Sequence, residues 1–125
     1  MKCLSLKQPY ADLLAIGRKT IELRIWNTKF RGEFLIHASK NLDIDSCIYH
    51  NVETKTLILG AIIGKAALYD VKQYNNNEEF IKDRDKHLAT KQFSNCRYGF
   101  LIKEAIKFDK SIPTKGKLRF FEVDF

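Results

Sequence analysis

Apolar and polar residues alternate along residues 20–24 and 33–39, which lie on either side of a basic and aromatic loop. A period of two is typical of a half-buried strand, so both stretches are predicted to be β-strands. If the apolar residues face the core, the polar ones share the opposite face: Thr20, Glu22, Arg24, His37 and Ser39. Antiparallel pairing through residues 25–32 would gather them on one wall. Such a wall is costly unless it binds a polar ligand or satisfies its own hydrogen bonds.

The remaining pattern predicts further strands at residues 2–6, 56–71, 98–106 and 118–125, a loop at 109–116, and helices at 9–16, 42–49 and 78–92. Pro9 suits the first helical position and Gly17 the position after the last turn. The second helix is expected to turn Ile44, Cys47 and Ile48 inward. We therefore expect an α+β fold with about five to six mostly antiparallel strands and two to three flanking helices.

Length and composition suit a globular protein. The chain has 125 residues, enough for one core, so residues 1–125 are predicted to form a single domain. It has no apolar run of membrane-spanning length and no secretory signal, so we expect no membrane partner and a reducing, cytoplasmic location. Cys3, Cys47 and Cys96 are widely spaced and have no ligand spacing with a histidine. Neither a disulfide, a metal site nor another cofactor is expected.

Charge adds a candidate partner. Lysine and arginine total 22 against 15 acidic residues, a net charge of +7. A basic domain gains affinity for nucleic acid by releasing counterions from phosphates. The alternative is that lysines only keep a small protein in solution, and charge alone leaves both open.

Basic residues and one tryptophan flank the predicted wall: Lys7, Arg18, Lys19, Trp26, Lys29, Arg31 and Lys40. The cations can hold phosphates, and an exposed indole can stack on an unpaired base. The alternative is a solvated loop with Trp26 packed into the end of the sheet. A second cluster, Lys115, Lys117 and Arg119, is distant in sequence, and whether it joins the same surface is left open.

Residues 4–32, L-S-L-K-Q-P-Y-A-D-L-L-A-I-G-R-K-T-I-E-L-R-I-W-N-T-K-F-R-G, followed by I-H-A-S, resemble the ASCH (activating signal cointegrator homology) domain family. The later runs G-A-I-I-G-K-A-A-L-Y-D-V, Y-G-F-L-I and P-T-K-G-K-L-R-F-F-E-V are also similar to that family. The resemblance implies a β-barrel of the PUA-like superfamily.

We predict a domain that binds RNA or single-stranded nucleic acid, because a mixed polar groove with an aromatic rim suits splayed bases better than duplex grooves. RNA is the favoured partner, a protein partner is also considered, and the oligomeric state is left open. The predicted nucleic-acid-binding residues are Lys7, Gln8, Arg18, Lys19, Glu22, Arg24, Trp26, Thr28, Lys29, Arg31, His37 and Ser39.

The alternative is a small hydrolase that uses the same groove. The resemblance implies either a ribonuclease or an amidohydrolase acting on an acetylated cytidine nucleoside. Lys19 matches the lysine of the amidohydrolase-like members, while their threonine position holds Glu22 here. In an enzyme, the catalytic residues would be Lys19, Glu22 and His37, with His37 as a general base. A second alternative is a coactivator-like adaptor that binds proteins.

Two structural interpretations stand beside these roles. Glu22 and Arg24 lie two residues apart on one strand and are close enough to pair. Together with Lys19 they are interpreted first as a structural ion-pair group. His37 is interpreted first as a groove-lining residue that hydrogen-bonds to the backbone.

Overall fold

The computed structural model describes residues 1–90, 92–93 and 97–125. Its strands are β1 (Lys2–Gln8), β2 (Ile21–Arg24), β3 (Gly32–Leu42), β4 (Ala61–Gln73), β5 (Tyr98–Pro113) and β6 (Phe120–Glu122). Its helices are α1 (Tyr10–Ala15), α2 (Ile44–Tyr49), α3 (Asn77–Lys82) and α4 (Arg84–His87), and a 3-10 turn lies at Thr54–Thr56. Cys3 and Cys47 are buried free thiols. The expectation for Cys96 lies outside the described residues.

The six strands form one sheet in the order β2-β5-β4-β3-β1-β6. The β1–β3 pair is parallel, and the other four pairs are antiparallel. The α+β class and the mostly antiparallel sheet are therefore as predicted, although no ladder between β2 and β6 closes the sheet among the described residues.

Side chains bring the two ends of the open sheet together. Phe100 of β5 stacks on Phe120 of β6, with ring centroids 6.1 Å apart. Arg24 at the end of β2 donates from Nη2 to the carbonyl oxygen of Ser5 on β1 at 2.9 Å. The sheet is therefore curled. Its two ends are joined by the Phe100–Phe120 contact and the Arg24–Ser5 hydrogen bond instead of by a β-ladder between β2 and β6.

The predicted antiparallel pairing of β2 with β3 is wrong. β2 pairs with β5, and β3 lies between β1 and β4. The loop between β2 and β3 does not form a hairpin, because Trp26 and Phe30 both pack against the core around Phe120. These aromatic anchors carry the loop across the end of the sheet.

The first helix begins one residue later than predicted, with Pro9 at its N-cap rather than at the first helical position, and it ends before Gly17 as predicted. Gln8 is buried, accepts from the Asp12 amide at 2.9 Å and donates to the Ile58 carbonyl at 2.9 Å. Gly17 has a φ of 80°, a left-handed conformation that glycine adopts at low cost where a helix ends. Residues 18–19 can therefore turn directly into β2.

The other two helix predictions need correction. In α2, Cys47 is buried as predicted, but Ile44 and Ile48 are exposed, because this six-residue helix buries only Ser46 and Cys47. The predicted helix at 78–92 is instead α3 followed by α4, and the left-handed Leu88 ends it early.

Asp83 stands at the junction of α3 and α4 and fixes both helices to β4. Its carboxylate accepts from the Tyr74 hydroxyl at 2.7 Å and from Lys72 Nζ at 2.6 Å. Burial acts to raise the pKa of Asp83, but the hydrogen bonds from Lys72 and Tyr74 outweigh burial and hold the pKa below its usual value. This anchor places α4 against the start of β2, where the Thr20 amide donates to the Lys86 carbonyl.

Apolar side chains cover both faces of β3. Phe34, Ile36 and Ala38 belong to the larger cluster, which also contains Phe100. Leu35 belongs to a second cluster with Cys3, Ile62 and Phe121. The strand is thus buried on two sides, and alternation alone does not identify a solvent face there.

Candidate functional site

A cavity of about 520 Å³ opens where the β2 end of the curled sheet approaches β1 and the residues before β6. The lining residues come from five separate stretches of the chain, within 5–10, 19–26, 39–43, 87–90 and 117–119. Its lining consists of Ser5, Leu6, Lys7, Tyr10, Lys19, Glu22, Leu23, Arg24, Ile25, Trp26, Ser39, Asn41, Asp43, His87, Ala89, Thr90, Lys117, Leu118 and Arg119.

One carboxylate between two cations forms the floor of this cavity. Glu22 Oε1 lies 3.3 Å from Lys19 Nζ, and Glu22 Oε2 lies 2.9 Å from Arg24 Nη2 and 3.0 Å from its Nε. The side chain of Lys19 is 3% exposed and that of Glu22 is 11% exposed. The ion-pair group predicted from sequence is therefore present, and it is largely removed from solvent.

Strand register explains why these charges point inward. Glu22 lies directly opposite Phe100 of β5, and residues opposite each other project from the same face of a sheet. Phe100 is fully buried in the larger cluster. Glu22 and Arg24 thus share one face, as predicted, but the prediction that this face lies away from the core is wrong.

Lys19 is positioned by the chain on both sides of it. Its amide donates to the Leu13 carbonyl at the end of α1, and the Thr20 amide donates to the Lys86 carbonyl of α4. Its Nζ donates to the His87 carbonyl at 2.6 Å. The ammonium group therefore ties β2 to α4 across the cavity floor.

Trp26 forms one wall. Its ring meets Phe100 and Phe120 edge-to-face at 5.2 and 6.0 Å, so it packs on the core, as one interpretation of this residue expected, and it also lines the cavity. Its role as a stacking surface for a base stays a prediction. The guanidinium groups of Arg24 and Arg119 lie over the indole, 5.8 and 5.1 Å from its centroid. This wall is aromatic and positively charged.

The opposite wall consists of Tyr10, His87, Ala89 and Thr90. The Tyr10 hydroxyl donates to Ser46 at 2.9 Å, and burial raises the pKa of this hydroxyl. His87 is fully buried, stacks on Phe80 at 4.3 Å, and places Nε2 2.8 Å from the Phe80 carbonyl. The Ala89 amide donates to His87 Nδ1 at 3.0 Å, so the ring is neutral with its proton on Nε2.

The structure brings together half of the residues predicted to bind nucleic acid. The cavity is lined by Lys7, Lys19, Glu22, Arg24, Trp26 and Ser39. Outside its lining are Gln8, Arg18, Thr28, Lys29, Arg31 and His37. Arg31 donates to the Thr28 and Phe30 carbonyls and lies 3.7 Å from Asp70.

His37 lies against Thr114 and Gly116, in the segment that follows β5. It is 2% exposed, with Nδ1 2.8 Å from Ser5 Oγ and Nε2 2.6 Å from the Thr114 carbonyl. The interpretation of His37 as a residue that hydrogen-bonds to the backbone fits this placement, but the ring does not line the cavity.

Sequence analysis missed several lining residues, including Tyr10, Asn41, Asp43, Thr90 and Leu118. It singled out Lys117 and Arg119 as basic but left their location open. The structure brings both onto the cavity, because β6 pairs with the first strand. Lys115 is exposed and does not line the cavity.

We expect stability to fall as the pH drops below about 6.5, the ordinary histidine pKa. Burial is the main cause that lowers the pKa of both His50 and His87. A lowered folded-state pKa gives stability that is complete above the unfolded value and is lost on acidification. Urea unfolding at pH 8, 7, 6 and 5 should show the free energy of unfolding decreasing toward low pH. The variant His87→Gln should show a smaller decrease, because it lacks one of the two histidines. An equal free energy of unfolding at pH 7 and pH 5 would contradict this.

Two further features are absent from the described part of the chain. No group of three or more histidine, cysteine or acidic side chains there is placed to hold a metal ion. No helix there has the length and apolarity that crossing a membrane requires.

Comparison with known proteins gives one family. The ASCH domain family matches residues 4–110. The fold is similar to the crystal structure of ASCH from Zymomonas mobilis, with a TM-score of 0.62 and 18% identity over 89% of this chain and 71% of that one. An S128A mutant protein of ZmASCH gives a TM-score of 0.59 and 19% identity over 85% and 69% of the two chains. No curated protein matches the chain significantly.

Proposed function

The chain belongs to the ASCH domain family, and on that premise we propose that it binds single-stranded nucleic acid, with RNA favoured, by taking an unpaired base into the cavity. The observation that carries this proposal is the combination of an aromatic wall with a buried floor that offers both donors and acceptors. A base presents a flat π-face together with an edge of donors and acceptors. The cavity has a complement for each.

The floor suits a base edge better than a phosphate. Glu22 places an acceptor between the donors of Lys19 and Arg24, and a carboxylate in this position repels an anionic group. A base edge instead combines N–H donors with carbonyl or ring-nitrogen acceptors. Trp26 supplies the stacking surface beside that floor.

Substitution of Trp26 by leucine should weaken binding of single-stranded RNA about tenfold or more, because stacking on an aromatic side chain contributes about 1–3 kcal/mol per base. Leucine keeps apolar volume against Phe100 and Phe120. The measurement is fluorescence anisotropy with labelled RNA and matched single-stranded and duplex DNA.

Tyr69→Leu is the matched control. Tyr69 is half exposed on β4, carries a cation–π contact with Lys103 at 5.3 Å and is not part of the cavity lining. This variant should bind as tightly as the wild type. Equal losses in the two variants, or stronger binding of duplex than of single strands, would reject the proposal.

A hydrolase that uses the same cavity is the second candidate, and Thr90 is the observation that favours it. Thr90 carries a hydroxyl and lines the same cavity as Lys19 and Glu22. A hydroxyl and a charged partner are the minimum for nucleophilic hydrolysis. Gel analysis of the RNA recovered from the binding assay separates the two functions: cleavage that Thr90→Val abolishes would put the enzyme first.

A further inference from the structure

We propose that residues 114–119 bind the phosphodiester that flanks the base held in the cavity, and that His37 positions this segment. The inference rests on the proposed function, since it assigns the backbone of the same nucleic acid. It adds a phosphate-binding element that is separate from the base-binding floor.

Uncompensated charge is the first observation. Lys117 and Arg119 are exposed, line the cavity, and take part in none of the salt bridges among the described residues. Lys115 is exposed and lacks such a bridge as well. Other exposed basic residues, such as Lys55 and Lys82, also take part in none of these salt bridges, but they lie outside the cavity, so the position of Lys117 and Arg119 at its mouth is what distinguishes them. Cations that remain unpaired at a cavity mouth favour an anion there.

The second observation is that like charges lie close together at the cavity wall. Arg24 and Arg119 both lie over the Trp26 ring, so two guanidinium groups share one wall. Glu22 neutralises charge at the floor, where Arg24 pairs with it. No described carboxylate has a salt bridge to Arg119, and a phosphate at the mouth would relieve its repulsion with Arg24.

The segment is also held in place before any ligand binds. The Thr114 amide donates to the Gly60 carbonyl at 3.0 Å, and the Thr114 carbonyl lies 2.6 Å from His37 Nε2. A Cβ added to Gly116 would lie 2.8 Å from His37 Cε1, so the backbone rests directly on the imidazole. A segment fixed in advance loses less conformational entropy when it binds.

Ser5 connects this anchor with the floor. Its hydroxyl lies 2.8 Å from His37 Nδ1, and its carbonyl accepts from Arg24 Nη2 at 2.9 Å. The base-binding floor and the phosphate-binding segment are therefore tied to the same residue of β1. This accounts for a buried histidine that lies close to the cavity without lining it.

Leu118 lies between the two cations and is 92% exposed, although it lines the cavity mouth. An apolar side chain there can cover the ribose or the edge of the inserted base. A nucleic-acid strand that enters the cavity here would place its phosphates against Lys117 and Arg119 and a sugar against Leu118.

The test compares salt dependence for Lys117→Ala/Arg119→Ala with that of the wild type. The probe is a single-stranded RNA ~10 nucleotides long, within the range of single-strand binding sites. Removing two phosphate contacts should weaken binding about tenfold at low salt and lower the slope of log K against log salt by about 1.4. Lys55→Ala/Lys82→Ala removes the same charge from exposed sites outside the cavity and should change the slope little.

His37 has its own pair of variants. His37→Ala should lower the salt slope as the double variant does, while His37→Gln, which can still donate to the Thr114 carbonyl, should restore it. A loss caused only by reduced stability would lower the fraction of active protein without changing the slope. An unchanged slope in His37→Ala would overturn the positioning role.

An abasic oligonucleotide of equal length separates this inference from the proposed function. An unchanged slope in Lys117→Ala/Arg119→Ala overturns the phosphate role and leaves base binding intact. Equal binding of the abasic strand and the RNA, with the slope still reduced, overturns base insertion and supports the phosphate role. Failure of the wild type to bind either strand overturns both. Equal affinity for polyglutamate would assign the surface to an acidic protein instead.

Discussion

Replacement of Glu22 by glutamine is expected to destabilise the protein by about 3 kcal/mol or more, because breaking a buried ion pair leaves an uncompensated charge. Here one change leaves two cations, Lys19 and Arg24, without their carboxylate. Both cations keep a carbonyl partner, at His87 and Ser5, so the fold should persist at reduced stability. Urea unfolding at pH 7 measures the loss.

Glu33→Gln is the control for this change. The Lys65–Glu33 pair has the same 3.3 Å separation as Lys19–Glu22, but its side chains are 34% and 53% exposed. Exposed pairs contribute at most about 1 kcal/mol, so this variant should be close to wild type. The double variant Lys19→Met/Glu22→Gln should recover part of the loss, because it removes one of the stranded cations. Similar losses for Glu22→Gln and Glu33→Gln would show that burial does not decide how much the Glu22 ion pairs stabilise the protein.

Local patterns predicted most strand positions of this protein but not which strands pair, and the loop predicted at 109–116 is wrong in its first part, since β5 runs to Pro113. The alternation at residues 20–24 and 33–39 marks β2 and β3 correctly. Their partners depend on contacts distant in sequence, since β2 pairs with β5 across about eighty residues and β1 pairs with β6 at the other end of the chain. Trp26 and Phe30 hold the loop against Phe120 instead of allowing a hairpin. Because Phe120 is far away in the sequence, local patterns could not reveal these contacts.

The candidate site shows the same division. Spacing alone predicted the Lys19–Glu22–Arg24 group, because its members are close in sequence. The placement of His37 could not be predicted, since β3 is buried on both faces and alternation cannot distinguish one covered face from the other. Thr90, Lys117 and Arg119 reach the cavity through chain segments far from β2, so no local signal connects them to it.

Introduction of a methyl group at Gly64 is expected to destabilise the protein by about 3 kcal/mol or more, at the upper end of overpacking effects. An added Cβ would lie 2.4 Å from the Ile106 carbonyl oxygen and 3.3 Å from the Ala15 Cβ. The first contact is with backbone, which cannot rotate away, so β4 and β5 would have to separate. The second contact would push on α1, whose following turn carries Lys19 to the cavity floor.

Gly17→Ala provides the matched control for Gly64→Ala, because its added methyl group meets nothing within 4 Å. The only penalty there is the left-handed backbone at a φ of 80°, which amounts to about 1 kcal/mol. Thermal and urea unfolding of the two variants should therefore differ by about 2 kcal/mol, with Gly64→Ala the less stable. Equal stabilities would mean that β4 and β5 move apart at little cost. In that case the packing of β4 on β5 would not be what keeps the sheet curled around the cavity.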